Sequence, residues 1–352
     1  MSLEALQERI REAAARGTAL CLRGGGTKDF YGNAPRGEVL DTRGHAGIVA
    51  YEPTELVVTA RCGTPLLELE KTLQEKGQTL PFEPPHFGPA ATVGGCVAAG
   101  LSGPRRASAG ALRDFLLGTR LIDGRGALLS FGGQVMKNVA GYDVSRLLAG
   151  SLGTLGVIAE ASIKVLPRPA AEATLRLKLN EERAIESLGR WAGQPLPLSA
   201  SAWCDGELAL RLSGAQAAVR AAAAKMGGEP APEARAAAFW EGVREHTDPF
   251  FGGDEPLWRL AVPAATPPLR LPGRQLIEWN GALRWLKSRA EPQVVREAAQ
   301  RARGHATLFR AERRLGEAFS PLDAVQMRLH RELKAAFDPA GVFNPGRLYA
   351  QL

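Results

Sequence analysis

Three clusters of glycine within the first 156 residues constrain this chain more than any other feature: Gly24-Gly25-Gly26, the run Thr92-Val93-Gly94-Gly95-Cys96-Val97-Ala98-Ala99-Gly100, and Gly150-Ser151-Leu152-Gly153-Thr154-Leu155-Gly156. A reversing turn demands one glycine where φ must be positive, and these segments use two to four. Small residues let a backbone approach a ligand or another element with no side chain in between. Each cluster also sits at an edge of regular structure. Residues 18–23 form an apolar run that fits a buried strand feeding into Gly24. Residues 144–149 read as a short helix before Gly150, and residues 157–166 as a strand after Gly156.

The remaining signals are conventional. Ser2 can cap a helix with Leu3, Leu6, Ile10 and Ala14 on one face and Gly17 as its left-handed stop. Strands are expected at 38–41, 49–51 and 56–61, followed by a helix that Thr64 and Pro65 open, Leu66, Leu69 and Leu73 bury, and Gly77 ends. Asp123-Gly124-Arg125-Gly126 joins two strands, 116–123 and 127–131, as a hairpin. After Pro167 and Pro169 glycine thins out, and helices at 181–192, 215–226 and 233–245 alternate with strands near 174–179, 199–203 and 207–212. That order, βαββα, predicts a small sheet covered by helices. Asn280-Gly281 predicts a further hairpin with Trp279 and Trp285 in its arms, and Ser320 and Pro321 open a long helix to Phe337. The divisions are residues 1–168, 169–319 and 320–352, the last returning to the first.

Two familiar phosphate loops do not fit the first cluster. GxxxxGK[ST] is absent, and both that motif and GxGxxG need a helix after the loop, which Gly32, Asn33, Pro35 and Gly37 forbid; Asp41 is therefore no ribose ligand. What remains is either a tight turn or a nest of consecutive backbone N–H groups suited to an anionic diphosphate. Cys21, Cys62, Cys96 and Cys204 stand far apart without a CxxC pair, and His45, His86, His246, His305 and His330 are equally scattered, so no metal cluster is expected. The apolar stretch 147–159 contains three glycines and falls short of the ~18 to 20 residues of a membrane span. The first 16 residues mix Glu and Arg and do not form a signal core, which predicts a cytoplasmic protein without direct membrane insertion. Net charge is +7, and residues 281–352 carry 13 basic residues against 7 acidic ones. No basic run tracks a phosphate backbone, so nucleic acid is not an expected partner. Arg-rich solvated helix faces, or an acidic partner or anionic ligand, account for the excess; Trp279 and Trp285 read as core or interface anchors, and their hairpin is assigned with the basic segment to a protein partner.

Taken together, Arg23-Gly-Gly-Gly-Thr-Lys28, Tyr51-Glu-Pro-Thr54, Thr92-Val-Gly-Gly95, Gly103-Pro-Arg-Arg106, Gly141-Tyr-Asp143, residues 150–158 and Asp338-Pro-Ala-Gly-Val-Phe-Asn-Pro-Gly346 resemble the flavoproteins of the vanillyl-alcohol-oxidase, or PCMH-type, FAD-binding family. The likeness is strong over residues 18–168 and good over 321–348. It implies an α+β fold: a PCMH-type FAD-binding domain of two α/β subdomains, with a smaller cap of antiparallel sheet and helices. Within the family, GGQVMKNVAGYD and LAGSLGTLGVIAE are most similar to the FAD-binding subunits of bacterial glycolate oxidases, which accompany a larger flavin subunit and an iron-sulfur subunit. The implied cofactor is non-covalent FAD. Gly24, Gly25, Gly26, Thr27 and Lys28 are placed at its pyrophosphate and Thr92, Val93, Gly94 and Gly95 at the pyrophosphate and ribityl region, with Arg23, Gly100 and Gly103 as further cofactor-binding residues. Gly153, Thr154, Gly156, Val157 and Ile158 are placed at its adenine end. Lys28 either adds charge there or is solvated.

The implied activity is oxidation of glycolate, a small 2-hydroxy acid, to glyoxylate, with electrons passing to partner subunits in the cytoplasm or peripheral to the inner membrane through those partners. Full-length 2-hydroxyacid dehydrogenases of this group display a GDGNxH-type segment with further ligands near the substrate carboxylate, and none exists here. Three readings therefore stand: a flavin subunit whose chemistry sits mainly in the larger partner, a self-sufficient FAD-dependent oxidoreductase of the same fold, and a structural subunit without functional flavin. No catalytic residue is assigned.

Overall fold

Leucine and isoleucine at helical spacing build the opening helix, Leu3–Arg16. Ser2 caps it through the Ala5 amide, Gly17 ends it at φ 64°, and Leu6, Ile10 and Ala13 are buried. The computed structural model describes residues 1–133, 143–313 and 316–352. Of the motifs above, residues 134–142, with Gly141 and Tyr142, and Arg314 lie outside the described residues.

The apolar run after Gly17 gives the strand Leu20–Arg23, which pairs in parallel with Glu38–Asp41. The C-terminal tail closes this small sheet: Leu20 N donates to Val342 O at 2.7 Å and Asn344 N to Leu20 O at 2.9 Å. Beside it stands a five-stranded antiparallel sheet in the order Ile48–Glu52, Val57–Arg61, Val157–Lys164, Leu116–Ile122, Leu128–Gly132. The Asp123 hairpin is as expected, its Oδ1 accepting from the amides of Arg125 and Ala127. The helices Leu66–Glu75 and Val93–Ala99 cover this sheet, with Val58, Leu69, Phe82, Val93, Val97 and Ile163 in the core between them.

The rest of the chain forms one antiparallel sheet of eight strands, the widest in the molecule. The expected strands Ala171–Lys178, Leu198–Cys204 and Glu207–Gly214 make one half, under the helices Glu181–Ala192 and Gln216–Met226. Leu257–Ala261, Arg274–Glu278, Leu283–Lys287 and His305–Arg310 make the other, under Pro292–Arg301, and the two-residue strand Glu229–Pro230 edges the first. Pairing of Ala202 with Glu278 fuses the halves, so a small sheet becomes a wide one. Local pattern reveals strands but not which edges meet.

Two expectations are corrected. The last long helix begins at Ala324, because Asp323 forms a capping box with Gln326, while the Ser320 hydroxyl is spent on the Ala306 backbone. Trp279 lies in the hairpin turn itself, at φ 53°, followed by Asn280 at 55° and Gly281 at 101°. Its indole donates to Gly103 O at 3.0 Å, across to the N-terminal part of the molecule. Trp279 and Trp285 are 5% and 4% exposed, so neither can anchor a partner; burial against the N-terminal part has already consumed them. The same seam is held by Glu83, which accepts from Arg105 and Arg211, and by Glu245, which accepts from the amides of His86 and Phe87.

Candidate functional site

The strand Leu20–Arg23 runs out into an elongated crevice, and its glycine loop forms one wall. None of the amides from Gly24 to Lys28 donates to a protein acceptor among the described residues, although the neighbouring amides of Asp29 and Tyr31 do. Five successive unspent donors facing a crevice are what an anionic diphosphate requires. The loop is held from outside itself. Arg23 pairs with Asp29 at 2.6 Å, and the Arg347 guanidinium donates to the carbonyls of Asn33, Lys28 and Asp29. Lys28 is folded inward, its Nζ 3.2 Å from His86 O and 5.6 Å from the centroid of the Phe87 ring, and burial lowers its pKa.

The opposite wall is the helix Val93–Ala99, which Thr92 caps. Its first amides are already bonded: Val93 to Thr64 O, Gly94 to Cys62 O and Gly95 to the Thr92 hydroxyl, all within 3.2 Å. This segment therefore offers a wall of small residues, not free donors. A Cβ on Gly25 would lie 1.6 Å from Ala90 O, one on Gly24 2.4 Å from Thr92 Oγ1, and one on Gly94 2.6 Å from Cys62 Cβ. These three glycines let loops close on one another, and the crevice is the groove left between them.

The third cluster completes the far end. Gly153 stands at φ 72°, and next to it the Asn344 carboxamide accepts from Leu22 N at 2.7 Å and donates to Leu152 O at 2.6 Å, tying the first and third loops together. Lys334 donates to Thr154 O and Phe343 O while pairing with Asp338, which locks the tail behind them.

Of the residues the sequence nominates, Arg23 to Lys28, Thr92, Gly94, Gly95, Gly153, Gly156, Val157 and Ile158 line the crevice. Four do not. Val93 is fully buried in the core, and Thr154 bonds to Ser151 O on the side away from the crevice. A Cβ on Gly100 would meet the Gly150 backbone at 2.7 Å, and Gly103 lies in a separate cavity under Trp279. Val93, Thr154 and Gly100 belong to motifs whose other members face the groove, and their own direction is set by packing; none of Gly103 to Arg106 lines the groove. Thr42, Cys62, Asn344 and Arg347 also line it without having been nominated. Asn344 and Arg347 had a signal in the terminal Asn-Pro-Gly-Arg; Thr42 and Cys62 had none.

Residues 1–132 match the family described as FAD binding domain. Over 350 residues the chain is 50% identical to the glycolate oxidase subunit GlcE of Escherichia coli strain K12, covering 99% of this chain and 98% of that one. It is 33% identical over 155 residues to the glycolate oxidase subunit GlcD of Bacillus subtilis strain 168, covering 44% of this chain and 33% of that protein. Among solved structures, an alkyldihydroxyacetonephosphate synthase superposes with a TM-score of 0.69 at 16% identity, over 97% of this chain and 75% of the other, a likeness of fold.

Proposed function

Because this chain belongs to the family of the glycolate oxidase subunit GlcE, we propose that it is the FAD-binding subunit of a glycolate-oxidising complex, supporting conversion of glycolate to glyoxylate with electron transfer to partner subunits. One observation carries the reading: the row of unspent amides from Gly24 to Lys28 faces a crevice that all three glycine clusters wall. Those amides would hold the pyrophosphate of FAD. The small-residue face of Gly95, Ala98 and Ala99 would let the cofactor lie against backbone, and Gly153 to Ile158 would take its adenine end. Bound FAD supplies a two-electron acceptor for the 2-hydroxy acid. Non-covalent attachment fits the one thiol that lines the crevice among the described residues, since burial pushes Cys62 up to about 12, far from the thiolate needed for attack.

The partners are a larger flavin subunit and an iron-sulfur subunit. The complex is cytoplasmic, or peripheral to the inner membrane through those partners; no helix of this chain is long and apolar enough to cross a membrane among the described residues. The test is to purify the full chain alone and with its partners, measure bound FAD by acid release, and follow bleaching of flavin absorbance on adding glycolate. Stoichiometric FAD on the chain and glycolate-dependent bleaching in the complex are expected. A colourless chain that takes up no FAD on reconstitution would overturn the assignment.

A further inference from the structure

The helix Ala324–Phe337 is the least buried long helix of the chain. Six other helices of ten residues or more stand among the described residues, and each buries at least three of its residues; this one, with 14, buries none. In its first two turns only Met327 and His330 are even half-buried. Its fixings lie toward its two ends. Asp323 and Gln326 form the capping box, the Arg125 guanidinium donates to Ala336 O at 3.1 Å, and Phe337 meets Phe131 edge-on at 6.1 Å. Lys334 donates to Thr154 O and Phe343 O. A helix of this length is marginal on its own in water, and packing of an apolar face is what ordinarily holds one.

The apolar face exists, and this chain leaves it open. Val325, Leu329 and Leu333 recur at every fourth position and so fall in one row. Val325 and Leu329 are 58% and 50% exposed, while Leu333 reaches a groove of about 250 Å³. Leu155, Phe319, Leu348 and Tyr349 line that groove, and Leu147, on the short helix Val144–Leu148, is 38% exposed on its wall. The groove shares no lining residue with the crevice. An apolar row that leads into an apolar recess is a surface which a side chain of another molecule can fill.

The surrounding charge says what covers it. Lys334 is spent on Asp338, so Arg328 and Arg331 set the sign of the outer face of this helix against Glu332 alone. Arg328 reaches Glu332 at 3.8 Å, and Arg331 is exposed with no ion pair among the described residues. No acidic side chain lines the groove; Leu352 brings only the chain terminus, whose carbonyl oxygen accepts from Gly346 N. A second copy would set this face against one of the same sign, on a chain that carries +7 and concentrates its basic excess in residues 281–352. A membrane-seated helix shows a wide apolar face, whereas here two aliphatic side chains project with Glu332 a turn beyond them.

We propose that the Val325–Leu329 row and the groove behind it bind a protein partner whose contact face is apolar at its centre and acidic at its rim, and that this partner is a subunit of the glycolate-oxidising complex. The inference rests on the reading above, in which the chain works within such a complex, and deepens it by naming the surface: the last helix takes the role that the sequence assigned to the Trp279 hairpin.

The test is to immobilise the full chain and titrate the purified partner subunits over it, with bound FAD and the unfolding midpoint measured on every variant. The double variant Val325→Asp with Leu329→Glu should keep its FAD and bind a partner subunit at least roughly tenfold more weakly, whereas Leu329→Met should bind as the unmutated chain does. Arg331→Glu should weaken binding several-fold, and by less at high salt. Val294→Asp, at an exposed aliphatic side chain on the helix Pro292–Arg301, should change nothing. Hydrogen exchange needs no variant: in the unmutated chain the amides of residues 327–333 should exchange more slowly in the complex than in the chain alone. Unchanged binding by the double variant, an equal loss in Val294→Asp, or exchange that does not slow overturns the proposal. So does a dimer of the chain alone, or its flotation on anionic phospholipid vesicles, that the double variant abolishes. Partner binding kept by the double variant, beside an unmutated chain that binds its partners, sinks this surface alone. An unmutated chain that binds no partner subunit sinks the complex reading with it.

Discussion

Replacing Glu278 by Gln should make the protein more stable at alkaline pH, and the structure gives the size of the gain. The side chain is 3% exposed and its carboxylate accepts one hydrogen bond, from the Trp285 indole. Burial raises its pKa from the ordinary 4.5 to about 7, against the opposing pull of that hydrogen bond and of Arg259. In this window the folded state holds a proton that the unfolded state has released, so the contribution of Glu278 to stability is full below pH 4.5 and is lost as pH rises through 7. At about 1.4 kcal/mol for each tenfold change in proton affinity, the complete loss amounts to about 3 kcal/mol. The carboxamide introduced by Glu278→Gln would keep an oxygen for the indole and carry no charge to bury. Urea unfolding of both proteins between pH 5 and 8.5 measures the difference, and about 2.5 kcal/mol of it should develop across that range in favour of the variant. His246 works in the opposite sense: burial, with Arg310 and Arg259, lowers its pKa, so its contribution is present above pH 6.5 and fades as pH falls. Both proteins share that term, and it drops out of the comparison. Parallel stability curves for the two proteins would refute the reasoning, because they would mean that Glu278 ionises in the folded protein as easily as in the unfolded one.

Gly25→Ala should cost at least roughly 2 to 3 kcal/mol and remove bound FAD together with stability, since its Cβ would meet the Ala90 carbonyl at 1.6 Å; Gly77→Ala, with open space around a φ of 66°, should cost only about 1 kcal/mol. Unfolding midpoints and FAD content check both, and equal losses would mean that the Ala90 carbonyl gives way at little cost and the close approach does not govern Gly25. Asn344→Ala leaves Leu22 N and Leu152 O without their side-chain partner and should destabilise by about 2 kcal/mol, with faster release of FAD on dilution. Lys334→Met strips the buried Asp338 of its cation and should cost about 3 to 5 kcal/mol, while the double variant Lys334→Met with Asp338→Asn should recover part of that; a double variant no more stable than the single would count against a charge effect.

The glycine clusters, the two hairpins and most helix limits were legible in the sequence because each depends on contacts within a few residues: a capping hydroxyl at Ser2, a positive φ at Gly17, an Asp123 that bonds its own turn. Members of all three clusters line one elongated crevice, and the closeness of the loops, as at Gly25 against the Ala90 carbonyl, is why small residues stand there. What only the tertiary structure decided is how donors are spent and where faces point. The amides opening the Val93–Ala99 helix are consumed by Thr64 and Cys62, whereas those of Gly24 to Lys28 are left over, and nothing local distinguishes the two. Asn344 reaches Leu152 and Leu22 across 192 and 322 residues of chain, and Trp279 turns inward to Gly103 across 176. His246 and Arg259 lie on a helix end and a strand with no shared motif, and they meet only because the eight-stranded sheet closes over the N-terminal part of the molecule. Turn chemistry and periodicity are written in neighbours; hydrogen-bond partners and cavities are set by packing between segments far apart in the chain.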